Sequence, residues 1–210
     1  RSSGCNGSGN KAAKHTLLLD TVGISAYCRR NNLTENSFFM AVTSLLLQRI
    51  TREDHVIFTS ISNGRINIRM QEIIGMFVQT LPVVSPDCKG SFAELASDIQ
   101  IQYFKTQSYC GIFPYTRLVE RFPANPEIMF AYQGIQGLED ALSENDDNSS
   151  DDGYGMELDV VKMPLTITVL PYGTDMFNLV LEYSADLYSK EDMSRFAEEL
   201  ADEGEDEDIE

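Results

Sequence analysis

The sequence predicts an α/β fold, more narrowly an α+β two-layer sandwich, with helices packed mainly on one face of a mixed sheet. Three observations predict it. Helical and extended patterns interleave along the chain. Two long segments, Thr34–Ile50 and Ser91–Gln107, carry apolar residues at helical spacing. Near the end, two extended runs flank Pro171-Tyr172-Gly173-Thr174-Asp175, a hairpin connection, so the sheet is not wholly parallel.

Taken in order, Arg1–Asn10 is Ser, Gly and Asn around Cys5, and residues 1–15 are expected to be a flexible leader. Val22–Arg30 suits a short helix. Thr34 caps the next one, whose apolar face runs Phe38, Ala41, Val42, Leu45, Leu46 and Ile50. Val56–Ile61, short and β-branched, reads as a buried strand. Asn63-Gly64 is a turn, because both residues tolerate positive φ. Ile66–Ile74 suits two helical turns, Gly75 a helix C′ position, and Met76–Val84 an extended segment closed by Pro82 and Pro86. Ser91-Phe92-Ala93-Glu94 is a capping box that opens a helix to about Gln107. Pro114 opens a short helix. Strands are expected over Glu127–Gln133, Met156–Val161, Leu165–Leu170 and Phe177–Tyr183, and Ser189 caps a last helix. Residues 136–155 form an acidic loop, disordered or crossing, and 201–210 an acidic disordered tail. The domain proper therefore spans 16–200.

The 210 residues, 42% of them apolar, suffice for one core. The net charge of −17 is local. Glu139–Asp159 and Glu198–Glu210 hold nine acids each and no base; elsewhere acids and bases nearly balance. Without a basic patch a nucleic-acid partner is not expected. No apolar run has the length of a membrane span, and no signal peptide is visible. Four scattered cysteines and two histidines, His15 and His55, give no metal-ligand spacing. Free thiols and a cytoplasmic location are the expectation.

Several stretches share a closer likeness. Gly64-Arg65 with Ile74-Gly75-Met76-Phe77-Val78-Gln79-Thr80-Leu81-Pro82 resembles the "GR … IGMFVNTLP" signature of condensation domains from nonribosomal peptide synthetases, with Gln79 in place of Asn. Phe113–Glu120 is similar to "YPFxxLVE", Asn125–Gln133 to "NPLFxVMFxYQ", and Leu181–Tyr188 to "LEYxTDLF". Gln107 resembles the Gln of "HQ", with Thr106 in place of His. All these elements belong to the family's C-terminal lobe. The resemblance implies a chloramphenicol-acetyltransferase-like lobe, facing an N-terminal lobe across a tunnel that admits phosphopantetheine arms from carrier proteins.

The family's "HHxxxDG" motif is absent, so no catalytic residue and no metal ligand is expected here. The resemblance implies that Arg65 forms an ion pair to the missing lobe; an exposed loop arginine is the alternative. Met76, Phe77 and Val78 are tunnel-lining candidates or ordinary core strand. Gln79 and Thr80 either hydrogen-bond a pantetheine amide or end a strand in solvent. Partners implied are the missing N-terminal lobe, peptidyl or aminoacyl carrier proteins and a neighbouring adenylation domain. No cofactor is expected on the chain itself; the prosthetic group is the carriers' phosphopantetheine. The expected function is one half of a peptide-bond-forming domain, inactive alone. The alternatives are a non-catalytic docking module for a carrier or a neighbouring domain, and a lobe of an epimerisation or cyclisation variant.

Overall fold

The computed structural model describes residues 11–20, 22–65, 68–86, 90–109, 112, 114–121, 126–134, 161–172 and 176–206. In chain order these form β1 (Ala12–Asp20), α1 (Val22–Asn31), α2 (Glu35–Thr51), β2 (Ile57–Ser62), α3 (Ile68–Gln71), β3 (Gln79–Val84), α4 (Phe92–Tyr109), α5 (Tyr115–Arg121), β4 (Ile128–Tyr132), β5 (Leu165–Tyr172), β6 (Met176–Ser184) and α6 (Lys190–Asp206).

One six-stranded mixed sheet runs β1-β6-β5-β4-β2-β3. The pairs β2–β4 and β4–β5 are parallel; β1–β6, β5–β6 and β2–β3 are antiparallel. Side chains alternate across a strand. Phe177, Leu179, Leu181 and Tyr183 of β6 therefore share a face with Leu165, Ile167 and Val169 of β5. That face meets Phe38, Phe39, Leu46, Ile99, Phe196 and Leu200 of the helices in one buried cluster. The mixed sheet with a helical layer agrees with the sequence prediction.

Local sequence explains most boundaries. Thr34 accepts a hydrogen bond from the Ser37 amide at 3.2 Å and starts α2. Two polar residues buried in α2 are satisfied within it: Thr43 donates to the Phe39 carbonyl at 2.7 Å and Ser44 to the Met40 carbonyl at 2.8 Å. The α4 capping box is complete, with the Ser91 amide 3.0 Å from Glu94 Oε2 and the Glu94 amide 3.4 Å from Ser91 Oγ. Ser189 Oγ accepts from the Asp192 amide at 3.1 Å and begins α6.

Four expectations are corrected. Residues 12–15, expected in the leader, belong to β1, which pairs along its whole length with β6. The two helical turns expected over Ile66–Ile74 reduce to one turn ending at Gln71. Gly75 is not a left-handed helix cap; the left-handed glycine among the described residues is Gly64, at φ +68°. The acidic tail is helical as far as Asp206, because α6, once started at Ser189, propagates one residue per added hydrogen bond into it. The whole of the acidic loop 136–155 and the expected strand Met156–Val161, apart from Val161, lie outside the described residues.

Candidate functional site at the strand ends

The parallel strands β2, β4 and β5 all finish at one end of the sheet, at Ser62, Tyr132 and Tyr172. In open sheets with parallel strands this carboxyl end is where ligands gather. Two local constructions stand there.

The first follows β2. Gln107 on α4 donates to Ser62 Oγ at 2.6 Å, and the Gly64 amide donates to the same oxygen at 3.2 Å. Tyr103 on α4 donates to the Ile61 carbonyl at 3.2 Å. The Arg65 amide closes a turn onto Asn63 Oδ1 at 3.0 Å. The end of β2 is thereby clamped to α4, and Arg65 leaves it in a fixed direction. Its guanidinium then gathers the following loop. Nη1 donates to the Met70 and Ile73 carbonyls, the latter at 2.9 Å, and Nη2 to the Gly75 carbonyl at 3.1 Å. Its carbon sits 4.8 Å from the centroid of the Phe77 ring. A guanidinium fits this place because its rigid fork reaches several carbonyls at once.

The tunnel-lining candidates separate here. Phe77 is half-buried beneath Arg65, whereas Met76 is 90% exposed and Val78 53% exposed. Gln79 and Thr80 are half-buried at the start of β3, opposite Ser62 and Ile61. The alternative of an ordinary core strand therefore fails for Met76 and Val78. Ile68, Ile73 and Ile74 are also exposed, Ile74 completely. The loop between β2 and β3 thus exposes five apolar side chains, Ile68, Ile73, Ile74, Met76 and Val78, on a backbone held by Arg65.

The second construction is a pocket of about 410 Å³ where α1, the start of α2 and the end of β4 meet. Glu35 accepts hydrogen bonds there from Ser25 Oγ at 2.7 Å and from Tyr132 Oη at 2.5 Å. Burial, and then the neighbouring Glu35 carboxylate, hold the Tyr132 phenol well above its ordinary pKa, so it stays a donor. The Tyr132 ring is fixed against Phe39 and Phe177. Neither Glu35 nor Ser25 stands out in the sequence, where each is an ordinary helix residue.

The two histidines are far apart. His15 sits in β1, and His55 precedes β2 with Nδ1 3.2 Å from the Ser85 carbonyl oxygen. The two strands lie four sheet positions apart, about 19 Å at the usual strand spacing. Among the described residues no group of three or more His, Cys, Asp or Glu is arranged to hold a metal ion, and no helix is long and apolar enough to cross a membrane.

The fold is that of acyltransferase-like proteins, as its similarity to the PapA2 acyl transferase shows (TM-score 0.75 at 14% identity, over 96% of this chain and 46% of that one), and the family comparison makes the class specific. The condensation-domain family model matches residues 18–203. The chain belongs to the condensation-domain family. It is 26% identical over 191 residues to bacitracin synthase 1 of Bacillus licheniformis, covering 82% of this chain and 3% of that one. In fold it is similar to the X-domain from teicoplanin biosynthesis, with a TM-score of 0.77 at 15% identity over 95% of this chain and 47% of that one. A four-domain nonribosomal peptide synthetase bound to AMP and glycine gives 0.76 at 16% identity, over 95% of this chain and 17% of the other. The chain thus spans a small fraction of its sequence relatives and about half of the X-domain chain.

Proposed function

We propose that this chain is the C-terminal lobe of a condensation domain, which in a complete domain helps join carrier-bound aminoacyl or peptidyl thioesters through a peptide bond. The observation that carries the reading is the Arg65-held loop. It displays Ile68, Ile73, Ile74, Met76 and Val78 to the outside at the carboxyl end of the strands. Several exposed apolar side chains gathered on one held loop support a docking surface. That solved structures of similar fold run to about twice this length supports a second half as the occupant of that surface.

Peptide-bond formation needs an amine held against a thioester carbonyl and relieved of its proton as it attacks. This chain carries no paired histidines to take that proton. Its contribution is to close the site. Met76, Phe77 and Val78 line the lobe boundary, and Gln79 and Thr80 supply polar groups for a pantetheine arm. Arg65 holds the loop, and its positive charge would face a carboxylate on the missing half. Phosphopantetheine on carrier proteins and a neighbouring adenylation domain complete the proposed setting.

The test mixes the purified chain with a polypeptide carrying the paired-histidine half of a condensation domain, then supplies two loaded carriers. The expected result is a one-to-one complex by light scattering, with peptide product in the mixture and none from this chain alone. Product from this chain alone overturns the reading. Carrier binding in a complex that never turns over favours a docking module instead.

A further inference from the structure

We propose that the pocket between α1, α2 and the end of β4 is a binding site for a small primary ammonium, held by the Glu35 carboxylate. The inference is independent of the condensation reading, because it rests on the pocket's own chemistry.

A carboxylate has about four lone-pair directions. Glu35 commits one on each oxygen, to Ser25 Oγ and to Tyr132 Oη. Both partners are neutral hydroxyls, so the negative charge is oriented but not cancelled. Among the described residues no lysine, arginine or histidine forms an ion pair with it. The α2 N-terminus stabilises the anion where it stands, and the remaining lone pairs await a donor.

The other walls favour the same ligand. Asn36 also lines the pocket, and its Oδ1 is buried with no donor. An ammonium brings three donors and suits a site rich in acceptors. Leu33 and Cys28 supply an apolar wall for a short carbon chain. Arg29 also lines the pocket and keeps its positive charge, but it stands at the rim with an exposed side chain, its Nε donates to the Ser25 carbonyl at 3.1 Å, and among the described residues it forms no ion pair with Glu35. The volume, about 410 Å³, is in the range of small-molecule sites.

The experiment titrates the 15N-labelled chain with n-propylammonium, propionate and propanol, followed by amide chemical shifts. Saturable shifts at Ser25, Leu33, Glu35 and Asn36 are expected with propylammonium and not with the other two. Glu35→Gln keeps the size and an acceptor oxygen but removes the charge, and should weaken binding about tenfold or more. Its melting temperature, compared with that of the wild type, shows whether it folds. Equal response to propionate and propylammonium, or no response to propylammonium, overturns the proposal on the wild-type chain alone. Unchanged affinity in a folded Glu35→Gln variant overturns the role of the carboxylate.

Discussion

Arg65 covers the ring of Phe77, twelve residues further along the chain, and ties β2 to β3 across the exposed loop between them. The same guanidinium holds the carbonyls of Met70, Ile73 and Gly75. Arg65→Ala should release residues 70–76 while leaving the sheet intact. The cost to global stability is expected at about 1–2 kcal/mol, the scale of one or two net charged hydrogen bonds at a partly exposed site. Limited proteolysis should show faster cleavage within 70–76, and Arg65→Lys should rescue little, since one ammonium cannot span three carbonyls. Unchanged cleavage in both variants would remove Arg65 from this role.

Gly64 is required twice over. Its φ of +68° is unfavourable for a side chain, and a Cβ there would lie 1.8 Å from the Phe77 carbonyl oxygen. Gly64→Ala should therefore cost about 1–3 kcal/mol from backbone strain, and more if the loop cannot move aside. A chemical denaturation midpoint equal to that of the wild type would contradict the close approach.

The Tyr132 phenol should make stability depend on alkaline pH. Its folded-state pKa lies well above the ordinary value of 10.0, by burial first and then by the Glu35 hydrogen bond. Below pH 10 both folded and unfolded chains keep the proton, and the contribution is fully present. Above pH 10 the unfolded chain sheds the proton first, so stability falls as pH rises. Tyr132→Phe should be less stable at neutral pH by about 1 kcal/mol, for the lost hydrogen bond, but should decline less steeply above pH 10. Parallel slopes for the two proteins between pH 9 and 11 would refute this.

Charge placed on the exposed loop should leave the fold alone. Ile74→Asp with Met76→Asp is expected to shift stability by no more than about 0.5 kcal/mol per site, since both side chains are at the surface. If the loop meets a second half, the double variant should lose that association. Retained complex formation by light scattering would place the interface elsewhere.

What the sequence discloses follows from how local each cause is. The Thr34 cap, the Ser91–Glu94 box and the hairpin between β5 and β6 are short-range devices, and each is readable. The strand β1 is not. Its run Leu17-Leu18-Leu19 breaks the alternation, and its strand state comes from nine pairings with β6, more than 150 residues away. The loop after Arg65 is less helical than its pattern suggests, because the carbonyls that would extend α3 are held by a guanidinium instead. Glu35 and Tyr132 are 97 residues apart. Neither carries a sign of the other until the sheet places the end of β4 beside the start of α2.

Pro82 shapes how this sheet can grow. The Ser85 amide bonds the Val56 carbonyl at 2.9 Å, which makes Thr59 and Pro82 a pair without mutual hydrogen bonds. The nitrogen of Pro82 therefore looks outward from β3, and the outer rim lacks a donor at its centre. Among the described residues the opposite rim is β1, nine residues long with no proline. Any intermolecular extension of the sheet, whether functional assembly or fibril-like aggregation, is thereby steered to the β1 side.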